Sequence, residues 1–491
     1  MYRRIALILV FVFFASLLVH PIYSINQDIG RHLKSGQIIW ETGDVYKTNL
    51  FSFTEPDHRF INHHWLSEVV FYWTNRLFNI EALIILKVVV LLTALALIFL
   101  AVKNISSAWA LILSALAGIA VFIERTDVRP EIFSYLFLSF FLFAIFRAKY
   151  SPEGEKWSRL PKAVEDPRYR KAISGLYALP VVQLFWSNMH IYFVLGPILM
   201  LFFLIDQRKY LPIFLATGAA TLVNPNFISG ALYPLRILNS YGYTIAENQN
   251  IFFLRDYGIS VGNIQIFQLS VVMLAVSFFV AWRKHHRDLF ELLTAGFFTI
   301  MAFLMLRNFG IYALAFIPIV ALNLSTVLPL TTLDVVSPQR HRVSLYVAIS
   351  VVLALLIWNN VRADKFSLAI PPGAAGGVKF IQDNNISGPV FNNFDVGSFL
   401  IWKTFPEQKV FVDGRPEAYS VDFFEKIYKP MQEDPVAWER YSKEYGINYV
   451  FFDHRDMTPW AKTFLNRISQ DKRWPMVYSD EYVAIFLKRL P

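Results

Sequence analysis

The chain has 491 residues, 55% of them hydrophobic, 16% aromatic and only 17% charged, with a mean hydropathy of +0.41. A soluble core of this size does not bury that much apolar surface, so the composition points to a polytopic membrane protein. A formal charge of +9 would suit a nucleic-acid binder, but the basic residues sit in short loops between apolar runs, and the absence of cysteine excludes disulfides, thiolate metal sites and cysteine nucleophiles.

Met1-Tyr2-Arg3-Arg4 precedes an apolar run from Ile5 to Val19. It reads as a retained first helix rather than a signal peptide, because no small-residue cleavage site stands out near Ala15-Ser16. Further spans are predicted at 82–102, 107–123, 131–147, 173–187, 190–205, 211–224, 263–282, 289–305, 310–328 and 344–361, about eleven helices in all. Threaded alternately from a cytoplasmic N-terminus, they place Arg3, Arg4, Lys103, the basic 147–172 segment, Arg208, Lys209, Arg283, Lys284, Arg287, Arg340 and Arg342 inside. The loops 23–81, 124–131, 187–190, 224–263 and 307–310, and everything after Val361, then lie outside. The expected location is the cell (inner) membrane.

Past Val361 the pattern changes. Pro371-Pro372-Gly373 and Gly376-Gly377 mark an exit from the membrane, followed by short β-rich runs and amphipathic helices. Strands are predicted at 388–393, 409–415, 447–453 and 474–488, with helices at 396–405, 421–431, 435–445 and 458–469. The expected organisation is a polytopic α-helical membrane domain over 1–361 and an extracytoplasmic α/β domain with a mostly parallel sheet over 362–491.

The polar residues of the outer face carry the chemistry. The first loop, from Asn26 to Arg76, holds Asp28, His32, His63, His64 and Glu68, and is too aromatic to be a disordered connector. Asp28 and His32 are four apart, which would place them on one helix face. A carboxylate there would take a proton from an acceptor hydroxyl or hold a divalent cation; the alternative is a helix N-cap. His64 and Glu68 have ligand-capable spacing, which an aromatic juxtamembrane helix shares. Arg125, Arg129, Arg236, Arg255 and Arg307 lie on the outer side against the topological rule. Guanidiniums there suit a lipid-linked phosphate leaving group, or pair with Glu124, Asp127, Glu131 or lipid headgroups. Lys87 either snorkels or faces a polar cavity, and His190 either faces a substrate or is a satisfied interfacial histidine.

The run Asp28-x-x-x-His32-Leu33, Asn49-Leu50-Phe51-Ser52-x-Thr54, His63-His64-Trp65-Leu66-x-Glu68, Arg129-Pro130-Glu131, Trp186-x-Asn188-x-His190, Asn224-Pro225 and Phe411-x-Asp413-Gly414-Arg415 resembles a bacterial family of multi-spanning proteins. That family is similar to the C-superfamily (GT-C) glycosyltransferases, which include protein mannosyltransferases, aminoarabinose transferases and oligosaccharyltransferases. The resemblance implies a polyprenyl-phosphate-linked sugar donor, an acid in the first outer loop, and inverting transfer to an extracytoplasmic glycan, lipid or protein. Asp28 matches the position of that acid, with His32, His63 and Glu68 supporting it and Arg129, Arg307 and Arg125 as the donor phosphate site. Gln27 and Ile29 flank Asp28 where many members have paired acids, so the need for a cation such as Mg or Mn stays open. Phe394-Asp395-Val396-Gly397 resembles the acceptor motif of oligosaccharyltransferases, with Asp395 as its acid. The alternative from another class is a non-catalytic scaffold or a lipid-linked glycan transporter. A transporter should carry charges near the membrane midplane, and apart from Lys87 the spans carry almost none.

Overall fold

A computed structural model describes residues 2–23, 28–150, 167–236, 241–327, 339–362 and 366–489. Asn26, Gln27 and residues 151–166 of the basic segment lie outside the described residues. The first six helices are α1 (Tyr2–Leu18), α2 (Ile29–Thr42), α3 (Trp65–Phe78), α4 (Ala82–Val102), α5 (Ala108–Phe122) and α6 (Glu131–Tyr150). The chain forms two compact units, one of Met1–His20, Ile84–Pro234 and Ile245–Leu368, the other of Pro21–Leu83, Leu235–Thr244 and Ala369–Pro491.

The first unit is helical. Each predicted hydrophobic span falls on a helix, and the stretch 173–205 forms the helix Pro167–Met189, a 3-10 turn at Ile191–Val194 and the helix Leu195–Asp206. Among the described residues, five helices are long and apolar enough to cross a membrane: Ala82–Val102, Ala108–Arg125, Glu131–Tyr150, Val261–Arg283 and Leu306–Ser325. The helix Phe309–Ser325 is buried from Phe309 through Asn323 and packs along α5, where Gly118 lets the Ile317 side chain and the Ala313 carbonyl approach. The helix Val261–Arg283 instead exposes Leu269, Val272, Val276 and Phe279, three or four residues apart and therefore on one stripe. A continuous apolar stripe of this kind is what a helix facing lipid presents.

The second unit is built on a four-stranded sheet in the order β1 (Val390–Asn392), β2 (Tyr449–Asp453), β4 (Val483–Leu487), β3 (Met476–Ser479). Only β1 and β2 are parallel; β4 runs antiparallel to both β2 and β3, so the sheet is mixed rather than mostly parallel. The run 474–488 is a hairpin of two strands. The run 409–415 is not a strand: Val410 makes one bridge to Ser52, after which the chain turns.

Both sheet faces are buried. Tyr449, Phe451, Val483 and Ile485 point to one side and Val450, Phe452, Ala484 and Phe486 to the other, the alternation that a pleated strand imposes. The first-loop residue Phe51 joins one of these cores and Phe60 the other. Much of the aromatic content of residues 45–60 is thus core material for the sheet. The same loop carries α2 and α3, which pack face to face across Gly36; a β-carbon there would overlap the Glu68 carbonyl.

Candidate functional site

In the second unit, Asp28 precedes α2 and does not share a helix face with His32. Its backbone is left-handed, with φ 56° and ψ 6°, and its side chain makes no cap bond to the helix. The carboxylate accepts a hydrogen bond from the Ser398 hydroxyl at 2.6 Å, across the close approach to Gly414. Non-glycine residues seldom adopt this conformation, and its cost, of order 1 kcal/mol, aims the side chain away from the helix terminus that would otherwise claim it. Among the described residues the carboxylate takes part in no ion pair, and Asp28 is only partly buried.

His32 is buried and serves a different group. Its Nδ1–H donates to Glu68 Oε1 at 2.9 Å, Arg31 Nη2 donates to its Nε2 at 3.4 Å, and Arg31 Nη1 reaches Glu68 Oε1 at 3.4 Å. Asn62 Nδ2 donates to Glu68 Oε2 at 2.6 Å. Burial, then the Arg31 charge, pushes the His32 imidazole below its ordinary value despite the attraction of Glu68. Burial opposes ionisation of Glu68, but the His32 hydrogen bond, Arg31 and Asn62 outweigh it and hold the carboxyl below the usual range. The group is therefore a neutral histidine and a carboxylate compensated by arginine. His63 lies against His64 with ring centroids 3.8 Å apart, and its Nδ1 reaches the Ile61 carbonyl at 3.2 Å.

Among the described residues no three His, Cys, Asp or Glu side chains converge as a cation-binding set.

The VDGRPEAY turn braces Asp28 from the other side. Arg415 is buried and forms a two-pronged ion pair with Asp413 at 2.7 Å, donates to Asn49 Oδ1 at 2.8 Å, and lies over the Phe51 and Phe60 rings. Tyr419 donates to Asp413 Oδ2 at 2.9 Å. Burial works against the Asp413 charge, but Arg415 holds the carboxyl below the ordinary range. Burial pushes the Glu417 carboxyl up, against the charges of Arg31 and Arg415. Asp395 is exposed in the first turn of the helix Phe394–Thr404.

In the first unit, Arg125, Arg129 and Arg307 converge around one loop. Arg125 Nη2 donates to both Glu131 oxygens at 2.8 and 2.9 Å and its Nη1 donates to Glu247 at 2.6 Å; Arg129 donates to both Glu247 oxygens at 2.9 and 2.8 Å. Arg307 donates to Asn248 Oδ1 at 2.9 Å, with its guanidinium over the Tyr192 ring. Burial disfavours the Glu247 charge, but Arg125, Arg129 and Arg307 hold its carboxyl far below the ordinary range. The Nε–H groups of Arg125 and Arg307 find no acceptor among the described residues. Arg255 stays outside this cluster, 3.7 Å from Asp256, and Arg236, a residue of the second unit, is exposed. Lys87 is fully buried and donates to His20 Nε2 at 3.0 Å, so it does not snorkel. His190 is a satisfied buried histidine: Trp186 donates to Ser134 Oγ at 2.8 Å, and the Ser134 hydroxyl donates to His190 Nδ1 at 2.9 Å.

Sequence reasoning missed Arg31, Asn62, Ser398, Glu247 and Glu417. Arg31 and Asn62 stand beside singled-out residues and were within reach of a local argument. Ser398 and Glu247 join their partners only through the tertiary fold.

No protein-family model matches the sequence, and no curated protein does. Solved structures do. The chain resembles the archaeal oligosaccharyltransferase AglB from Archaeoglobus fulgidus, solved with an inhibitory peptide and a dolichol-phosphate, at a TM-score of 0.63 and 11% identity over 99% of this chain and 74% of that one. It also resembles ArnT from Cupriavidus metallidurans bound to undecaprenyl phosphate, at a TM-score of 0.51 and 12% identity over 99% of this chain and 97% of that one. The chain thus has the fold of C-superfamily lipid-linked glycosyltransferases, as the sequence resemblance implies.

Proposed function

We propose that the chain is an integral-membrane glycosyltransferase that moves a sugar from a polyprenyl-phosphate-linked donor to an extracytoplasmic acceptor. The acceptor hydroxyl or amide attacks the anomeric carbon as the bond from that carbon to the phosphate oxygen breaks. The phosphate leaves with the electron pair, and Asp28 takes the acceptor proton. Inversion follows from a single displacement. Arg125, Arg129 and Arg307 receive the phosphate, using the Nε–H donors that Arg125 and Arg307 hold open. His32 and Glu68 are positioning residues that fix the start of α2, and Asp395 contributes to acceptor binding.

The observation that carries this reading is the Asp28 carboxylate, turned away from helix capping, held by one hydroxyl and clear of every ion pair among the described residues. A helix-capping acid would have no reason to adopt a left-handed backbone. The test is transfer of a labelled sugar from a polyprenyl-phosphate donor by wild-type protein, Asp28→Asn and Arg129→Ala, each checked for normal membrane insertion. The reading predicts loss of turnover in both variants, and full activity in either one sinks it. Native mass spectrometry of the extracted protein adds a readout without turnover: a polyprenyl-phosphate adduct that Arg129→Ala removes.

A further inference from the structure

The first unit contains a second polar site, built from other residues. A cavity of about 580 Å³ opens beside the helices Val261–Arg283, Leu289–Leu304 and Phe309–Ser325. Its walls include Phe278, Phe279 and Leu292, and two buried polar side chains, Glu291 and Asn323, also line it. Glu291 Oε2 accepts from His286 Nε2 at 3.3 Å, and Asn323 Nδ2 donates to Ser277 Oγ at 3.2 Å. Glu291 Oε1 and Asn323 Oδ1 have no hydrogen-bond donor of good geometry among the described residues.

Two fully buried acceptors without donors are costly unless something fills the cavity and donates to them. The nearby charges favour a cation. Lys149, the ammonium of this cluster, is already shared by Asp206 at 2.5 Å and Asp288 at 3.0 Å, so the ion-pair partner left to Glu291 is His286, with the Tyr150 hydroxyl beside it. At the rim, Arg287 is exposed over the Trp282 ring, a positive charge next to an apolar wall. An acceptor pair, an apolar wall and a basic rim together describe an amphipathic ligand with an ammonium, a phosphate and a hydrocarbon chain.

We propose that this cavity binds an aminophospholipid. Its ammonium donates to Glu291 Oε1 and Asn323 Oδ1, its phosphate meets Arg287, and its acyl chain lies along Phe278, Phe279 and Leu292. A hydroxyl-headed anionic lipid supplies a donor but no positive charge for Glu291, so the site discriminates between the two headgroups.

The test is native mass spectrometry of the full chain in detergent, supplied with equal amounts of phosphatidylethanolamine and phosphatidylglycerol of distinguishable acyl mass. Wild type should retain the ethanolamine lipid over the glycerol lipid by roughly tenfold, the scale of one charge-assisted hydrogen bond. Glu291→Gln and Asn323→Leu should each bring that ratio toward one, and Arg287→Ala should lower retention of both lipids. Equal retention by wild type overturns the proposal without any variant being needed, as does an unchanged ratio in both cavity variants.

Discussion

Gly414 and Asp28 are packed so closely that a β-carbon on Gly414 would overlap the Asp28 Oδ1 atom. The glycine is there for space: it lets the VDGRPEAY turn lie flat against the carboxylate while Ser398 holds it from the helix Phe394–Thr404. Gly414→Ala should push the carboxylate off Ser398. A displacement of about 1 Å at a reacting group costs roughly 100-fold in turnover. The expected result is that loss with a nearly unchanged melting temperature; equal activity would show that the position of Asp28 is not critical.

Asp28→Asn keeps the shape and the Ser398 contact but cannot take a proton. Loss of a general base lowers turnover by about 10²–10⁴-fold. Ser398→Ala removes one hydrogen bond to the carboxylate and should cost about tenfold, with Asp28 still ionisable. The comparison is made on turnover at saturating donor. If Ser398→Ala were as damaging as Asp28→Asn, the hydroxyl would have to take part in the reaction itself.

The His32–Glu68 group predicts acid sensitivity. Both folded-state values lie below the ordinary ones, 6.5 for the imidazole and 4.5 for the carboxyl. Below each ordinary value the unfolded chain therefore binds more protons than the folded one, and stability falls with falling pH. The His32 contribution starts to be lost as pH drops through about 6.5 and the Glu68 contribution below about 4.5. Melting curves from pH 8 to pH 5 should show a decline in wild type that is blunted in His32→Gln. Identical slopes would place the acid-labile group elsewhere.

Glu247 is an internal anion on the arginines assigned to the donor phosphate. Glu247→Gln keeps an oxygen for Arg129 but removes the competing charge, so a polyprenyl-phosphate ligand should bind several-fold more tightly, a gain near 1 kcal/mol. Stability should fall by a few kcal/mol, because Arg125 and Arg129 lose a charged partner. Ligand-induced shifts in melting temperature report both effects in one experiment. Weaker ligand binding in Glu247→Gln would make the carboxylate a structural partner only.

Much of the fold was legible because its signals are local. The spans announce themselves by length and hydropathy, and the helices after Val361 by amphipathic spacing, so α4 and the helix Pro435–Glu444 fall within a residue or so of expectation. The run 409–415 failed for a tertiary reason. Its β-rich composition packs Phe411 and Val412 into the core, but its backbone finds only the Ser52 region to pair with before Arg415 turns back on Asp413. The parallel expectation failed because the final run folds back on itself, which forces an antiparallel neighbour. At the site, Asp28, His32 and Glu68 stand out in the sequence as polar residues of one loop, but their grouping does not: Asp28 answers to Ser398, while His32 belongs to Glu68.

That hydrogen bond joins residues 370 positions apart. On a ribosome, Asp28 emerges long before Ser398, Gly414 or the strands that receive Phe51 and Phe60. Until residues 369–491 have been made, the first loop has neither its hydrophobic partners nor the hydroxyl that orients its acid. A chain stalled anywhere upstream would carry its apolar helices and an Asp28 without its hydroxyl partner, so competence for the proposed reaction is acquired only once residues 369–491 are in place.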